Sequence, residues 1–286
     1  MSRALAWLRN PWARARFLWV IAIAYLAWSL LPVVIAVGFS FNGGRSLTAW
    51  QGFSTQWYQG NVSSVFDDPE LRHALAQSFR LAGLTVVLAV PLGVAFALAL
   101  DRWRGRGTGT ANFLMLFSFI TPEIALGVAL FLFFTQLVTG IGTGFVAQLL
   151  GLSMYMMAYP VIVVRARLLS IGKEYEEAAM DLGASPTDAL RRVLMPLLFP
   201  AILASVVIVF AASIDNFVIS QQLSAGAPTQ TVPILIYSAA RRGPLPSVNA
   251  LASLTLFAST ILIGLAVVVY RARTRGERRT RAPLPI

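Results

Sequence analysis

Two acidic residues, Glu123 and Asp215, lie inside long apolar runs that contain no other carboxylate. An ionised side chain at the centre of a membrane span costs about 2.5–3.5 kcal/mol on insertion scales, so it indicates a functional site facing an interior or water-filled cavity. Carboxylates on a transport path would suit a cationic cargo. Two structural alternatives stay open: an intramembrane pair of Asp215 with Arg80, or a position of Asp215 close to the outer interface.

The residue inventory excludes most covalent chemistry. Cysteine is absent, so the chain has no disulfide, thiolate nucleophile or cysteine metal site. The one histidine, His73, has no supporting motif for a catalytic triad or a metal cluster. The one lysine, Lys173, is followed by Glu174, so a phosphate-binding loop is missing. We therefore expect no cofactor or metal in this chain, and any ATP and Mg²⁺ that drive it would be bound by a partner.

The composition places the chain in the membrane class. Hydrophobic residues make up 57% of the sequence and charged residues 12%, against about 25% charged in an average soluble domain. The net charge of +11 does not indicate nucleic-acid binding, because the arginines lie in the tails and gaps that flank the apolar runs. We therefore expect most of this chain to lie within a lipid bilayer.

The apolar runs predict an all-α integral membrane protein with six transmembrane helices, since about 20 residues cross the hydrocarbon layer. The predicted spans are 17–41, 74–100, 110–138, 146–166, 197–223 and 247–270. Around them we expect a basic N-terminal tail (1–16), an extracytoplasmic segment rich in interfacial aromatics (42–73), and a basic C-terminal tail (271–286).

The distribution of positive charge predicts the orientation. Eighteen Lys and Arg residues lie in the two tails and in the loops on their side, and four lie on the opposite side. Because positively charged loops stay in the cytoplasm, both termini are expected to be cytoplasmic in a multi-pass protein of the cell (inner) membrane.

A cytoplasmic segment between the fourth and fifth spans is unusually rich in acids, with 5 of the 12 carboxylates between residues 174 and 188. Its residues predict a helix over 173–182 that Gly183 ends in the left-handed conformation. Ser185, Pro186 and Asp188 then suit the N-cap, first and third positions of a second short helix, which would end at Arg191 and Arg192. The simplest interpretation is a solvated connection between two spans.

The spacing within this segment allows a more specific interpretation. Glu177-Ala178-Ala179 is followed after three residues by Gly183, and after nine more by Val193-x-Met195-Pro196. This pattern resembles the cytoplasmic EAA motif of ABC importer permeases, with Met195 where leucine is usual. The resemblance implies the MetI-like permease fold, with 74–270 as the permease core and 169–196 as the loop that couples to the ATPase.

By this resemblance, a set of residues in the loop would form the ATPase-coupling surface. They are Glu177, Ala178, Ala179, Asp181, Leu182, Gly183, Ala184, Ser185, Arg191 and Pro196.

A second stretch, Ser213-Ile214-Asp215-Asn216-Phe217-Val218-Ile219-Ser220, resembles the Ser-Leu-Asp-Asp-Phe-Val-Ile-Ser sequence of spermidine/putrescine permeases of the PotC/PotI type. Residues 53–58, 121–127, 163–168 and 231–238 are similar to the same subfamily. The resemblance implies a polyamine cargo, with Asp215, Asn216 and Glu123 on the translocation path. Asn216 departs from the family, which usually has a second aspartate there.

The resemblance also implies partners. They would be an ABC ATPase dimer, a second and non-identical permease subunit, and an extracytoplasmic solute-binding protein that touches 42–73 and 224–246. Two other functions stay open. One is an ABC permease for ferric ion, an opine or an organic anion, because the fold does not select the cargo. The other is a proton-coupled secondary carrier, with Glu123 and Asp215 as proton relays and no ATPase.

Overall fold

The computed structural model describes residues 16–102, 105, 107–138, 140–243 and 245–279. Every regular element in these ranges is a helix, and one isolated antiparallel bridge joins Asn42 to Phe53. The all-α prediction is confirmed.

The helices follow each other with short connections. The first six are α1 (Arg16–Phe39), α2 (Pro69–Arg102), α3 (Thr108–Ile120), α4 (Glu123–Leu132, followed by a π-helical turn Phe133–Leu137), α5 (Phe145–Met156) and α6 (Ala158–Ile171). The others are α7 (Glu174–Asp181), α8 (Pro186–Ile214, with a π-helical turn Ala189–Leu194), α9 (Val218–Gln222), α10 (Val232–Arg242) and α11 (Pro246–Arg279). A 3₁₀ turn, Ala227–Thr229, precedes α10.

Five stretches of the described residues are long and apolar enough to cross a membrane. They are Leu18–Phe39, Pro69–Arg102, Phe145–Ile171, Pro186–Ile214 and Pro246–Ala272. The remaining predicted span, 110–138, is divided by a break at Thr121-Pro122, where Thr121 is extended at φ −61° and ψ 130°. Proline has no N–H for the helix ladder and disfavours the helical conformation in the residue before it. That this broken stretch completes a sixth crossing stays a prediction.

The prediction of a separate short helix ending at Arg191 and Arg192 is wrong. A π-helical turn over Ala189–Leu194 carries the chain without a stop into the next span. Pro196 follows this turn closely and has no N–H to donate back to a carbonyl within it. The far end of α8 also differs from the predicted 197–223, because α8 ends at Ile214 and a new helix begins at Val218.

The described residues divide between two compact units, one within 1–67 and 245–253 and the other within 68–244 and 254–286. In the first unit, the described side chains of α1 from Leu18 to Ile35 are all exposed. The segment after α1 is ordered by polar contacts: Trp57, only 2% exposed, donates its indole N–H to the carbonyl of Asn42 at 2.6 Å. The Asn42 side chain in turn binds Ser46, Ala49 and Gln51.

The second unit is built on α2, α5, α6 and α8, which pack around one apolar cluster. Its largest fully buried side chains are Leu81, Leu152, Met156, Leu194 and Leu198. Leu194 and Leu198 belong to α8, so the helix that starts in the acidic segment is anchored in this core.

Close packing in this core predicts that two glycines of α2 differ in how well they tolerate substitution by alanine. A Cβ added at Gly93 would lie 2.9 Å from the carbonyl oxygen of Met157, whereas one added at Gly83 would meet nothing within 4 Å. Gly93→Ala is therefore expected to destabilise the protein by about 1–3 kcal/mol through overpacking. Gly83→Ala, the matched control, is expected to be neutral or slightly stabilising, because alanine favours helix.

Thermal unfolding of the purified protein in detergent measures both variants. Equal melting temperatures for Gly93→Ala and Gly83→Ala would contradict the packing of α2 described above.

Candidate functional site

Two helix breaks meet in the second unit. Glu123 is the first residue of α4, directly after Pro122, where a carboxylate complements the positive end of the helix dipole. Asn216 lies between α8 and α9 and donates its side-chain amide to Oε1 of Glu123. The Asn216 side-chain oxygen accepts from the backbone N–H of Ser220 at 3.2 Å and from its hydroxyl at 3.4 Å. The structure thus brings together Glu123 and Asn216, two of the three residues assigned to the translocation path.

The two short helices that carry these residues pack closely. A Cβ on Gly127 of α4 would lie 3.1 Å from Cγ of Gln222 and 3.8 Å from Cα of Ile219, both in α9. A side chain at position 127 would require the Gln222 side chain to shift, so Gly127 favours this close approach and contributes to the alignment of Glu123 with Asn216.

Gln148 of α5 supports the same region, and the sequence interpretation missed it. Its fully buried amide donates to the carbonyl of Ser220 at 2.8 Å and to that of Thr229 at 3.0 Å. The amide therefore ties the end of α9 and the following loop to the helix core. The available signal was an uncharged polar residue within an apolar run, since such residues form hydrogen bonds between helices in a bilayer.

The three residues that the resemblance assigns to the translocation path differ in exposure. Asn216 is 7% exposed, Glu123 is half-buried and Asp215 is exposed. The alternative pair of Asp215 with Arg80 is not formed: the Arg80 guanidinium lies over the ring of Phe145, 4.3 Å from its centroid. No ion pair found among the described residues includes Asp215.

The acidic segment forms a second candidate surface. No residue of α7 is buried, and Tyr175, Met180 and Leu182 are exposed apolar side chains, with Leu182 at 91%. Gly183 adopts φ +91° directly after the helix. The Ser185 hydroxyl accepts the backbone N–H of Asp188 at 3.2 Å, which is the N-cap geometry expected from the sequence. Local sequence therefore sets the shape of this surface.

The other residues that the resemblance assigns to coupling lie in α7, in the turn and in the first part of α8. Glu177, Ala178, Asp181, Arg191 and Pro196 are exposed, and Ala179 and Ala184 are half-buried.

One ion pair connects this surface to another helix, because Arg102 at the end of α2 pairs with Glu176 of α7. A second pair lies within α8, where Arg192 pairs with Asp188 one turn earlier, Nε to Oδ1 at 3.1 Å. The predicted coupling surface and the Glu123–Asn216 pair are not close to each other. They lie near opposite ends of α8, whose 29 residues span about 40 Å.

The sequence and the fold of this chain have counterparts in known proteins. The model of the family "Binding-protein-dependent transport system inner membrane component" matches residues 89–282. The chain belongs to this family. It is an ABC importer permease, a transport subunit and not an enzyme, and in this family a separate subunit carries the ATPase.

Curated relatives of this permease cover most of its length. The spermidine/putrescine transport system permease protein PotC of Escherichia coli (strain K12) is 32% identical over 254 residues, which is 89% of this chain and 94% of the relative. The putrescine transport system permease protein PotI of the same organism is 32% identical over 278 residues, covering 95% and 94%. The resemblance read from the sequence is confirmed at the level of the family.

Solved structures confirm the fold. A bacterial ABC transporter involved in the import of the acidic polysaccharide alginate superimposes with a TM-score of 0.70 at 14% identity, over 91% of this chain and 96% of the other. The MetNI methionine ABC transporter superimposes with a TM-score of 0.58 at 20% identity, over 70% and 93%. The permease is thus a MetI-like integral membrane protein.

Proposed function

We propose that this permease is one of two membrane subunits of an ATP-driven importer for polyamines such as spermidine and putrescine. The cargo assignment rests on a polar cluster at the junction of two broken helices. The cluster consists of the Glu123–Asn216 contact and of Asp215, the exposed neighbour of Asn216 in the chain. Discontinuous helices are where transporters bind cargo within the bilayer. The names of the relatives PotC and PotI point to the same cargo.

The chemistry of the cluster suits a cation that sheds its water. Glu123 and Asp215 offer two carboxylates, and Asn216 offers an amide where a second aspartate would stand. The Asn216 amide holds Glu123 without neutralising it, because it donates a hydrogen bond and carries no charge. Glu123 keeps its negative charge available for an ammonium group of the cargo.

The proposed transporter contains several partner subunits. An ATPase dimer docks on loop 169–196, with the coupling residues Glu177, Ala178, Ala179, Asp181, Leu182, Gly183, Ala184, Ser185, Arg191 and Pro196 at or beside the contact. A second, non-identical permease subunit forms the other half of the path. A solute-binding protein delivers cargo to 42–73 and 224–246 on the outer side, both termini are cytoplasmic, and ATP and Mg²⁺ are bound by the ATPase.

Helix α8 offers a mechanical connection between the two sites. It begins at the capped turn of the coupling surface, and its far end leads into Asp215 and Asn216. A shift of α7 and of the turn at Ser185 on ATP binding is transmitted along α8, which is anchored in the core through Leu194 and Leu198. The Glu123–Asn216 contact then opens or closes as the path changes from outward-facing to inward-facing.

Uptake by the reconstituted complex tests the cargo. Proteoliposomes containing both permease subunits and the ATPase, with the binding protein outside and ATP inside, are expected to accumulate labelled spermidine or putrescine. Uptake of neither, together with transport of another solute such as ferric ion, an opine or an organic anion, would overturn the polyamine assignment. Equal uptake without the ATPase would favour the proton-coupled carrier.

A further inference from the structure

A pair of aromatic rings lies next to the polar cluster, and the proposed function gives it no role so far. The ring of Phe217, the residue after Asn216, contacts the ring of Tyr237 in α10 with centroids 4.6 Å apart and planes at 44°. The guanidinium of Arg241 lies over the Tyr237 ring with its Cζ 4.5 Å from the centroid, and it donates to the Tyr237 hydroxyl. Phe217 thus links the break that carries Asn216 to an aromatic ring that already holds a cation.

The partner of Arg241 is an aromatic ring. Its side chain is exposed, and no ion pair found among the described residues joins it to a carboxylate. The negative face of an aromatic ring attracts any cation, ammonium as well as guanidinium. Tyr237 is 43% exposed, so its ring is accessible to a soluble amine once Arg241 moves away.

We propose that the Tyr237 ring, supported by Phe217, is an outer subsite for an ammonium group of the cargo, and that Arg241 occupies this subsite until the cargo displaces it. The inference rests on the proposed function in one respect, namely that the cargo is a polyamine. Arg241 is tethered four residues from Tyr237 in the same helix, so it returns when the subsite is empty. Asp215, exposed and two residues before Phe217, supplies the negative charge that attracts the incoming amine.

A simpler role would be a local contact that only stabilises α10, since residues four apart on a helix are neighbours. The two roles predict different effects of a free amine. If the contact is purely local, amines do not bind to the Tyr237 ring; if the ring is a subsite, amines and the Arg241 guanidinium compete for it. Removing Arg241 should therefore strengthen amine binding at Tyr237.

The test places 3-fluorotyrosine at position 237 of the full complex in nanodiscs and follows its ¹⁹F resonance during titration with spermidine. The Arg241→Gln variant without spermidine gives the reference resonance of Tyr237 with no cation over its ring. We expect spermidine to shift the resonance, with an apparent Kd about two- to fivefold lower in Arg241→Gln, as the strength of an exposed cation–π contact implies. The neutral diol 1,4-butanediol, and a second label at exposed Tyr25 of α1, are the controls and should give no shift.

Parallel uptake assays separate this inference from the proposed cargo. Spermidine uptake with no shift at Tyr237, or equal Kd values with and without Arg241, overturns the subsite and leaves the cargo assignment intact. If spermidine shifts the resonance with a lower apparent Kd in Arg241→Gln, but the complex takes up no spermidine, the subsite is supported and the cargo assignment fails.

Discussion

Leu182→Asp is expected to abolish docking of the ATPase and to lower coupled transport at least about 30-fold, the effect of losing an interface hot spot of 2 kcal/mol or more. Leu182 is 91% exposed and follows α7, in which no residue is buried. Its side chain makes little contact within this chain, so the substitution should leave the fold unchanged. An aspartate there would carry an unpaired charge into an apolar contact, which is costly. Co-purification with the ATPase measures docking, and ATP-driven uptake measures coupling.

Val62→Asp is the matched control. Val62 is 87% exposed and lies in the segment that we place on the opposite side of the membrane, so the same charge there should leave ATPase docking unchanged. Normal docking of the Leu182→Asp protein would show that the ATPase binds elsewhere and would remove the coupling role assigned to this turn.

Glu123→Gln is expected to lower polyamine uptake about 10- to 100-fold while leaving assembly and ATPase docking intact. The magnitude corresponds to about 1.5–3 kcal/mol for a hydrogen bond to a charged group. Glutamine retains an oxygen that can accept the amide of Asn216, so the contact between α4 and α9 is preserved and only the charge is lost. Labelled spermidine uptake is the measurement.

Two further substitutions sharpen this result. Glu123→Asp retains the charge and should restore most of the uptake, which a purely structural role for the longer side chain would not predict. Asp215→Asn should have a smaller effect than Glu123→Gln, because Asp215 is exposed and an exposed ion pair contributes little. Wild-type uptake by Glu123→Gln would exclude Glu123 from the path.

Features set by neighbouring residues could be predicted from the sequence. The turn between α7 and α8 is an example: Gly183 has the positive φ and Ser185 caps Asp188 as expected, since these conformations depend on residues only a few positions apart. The error at Arg191 and Arg192 has a matching cause. Local signals mark where a helix can stop, but burial of Leu194 and Leu198 in the core favours its continuation.

The sequence by itself determined that this protein is a helical membrane protein with lone acids in its apolar runs, because composition and charge distribution alone decide what a bilayer accepts. It also indicated the family, through motifs whose residues lie close together in the chain. Only the tertiary structure decided that Asn216, 93 residues after Glu123, is its hydrogen-bond partner, and that Arg80 rests on Phe145 and not on Asp215. Such partners depend on how helices pack, and close packing selects one neighbour among many of similar chemistry.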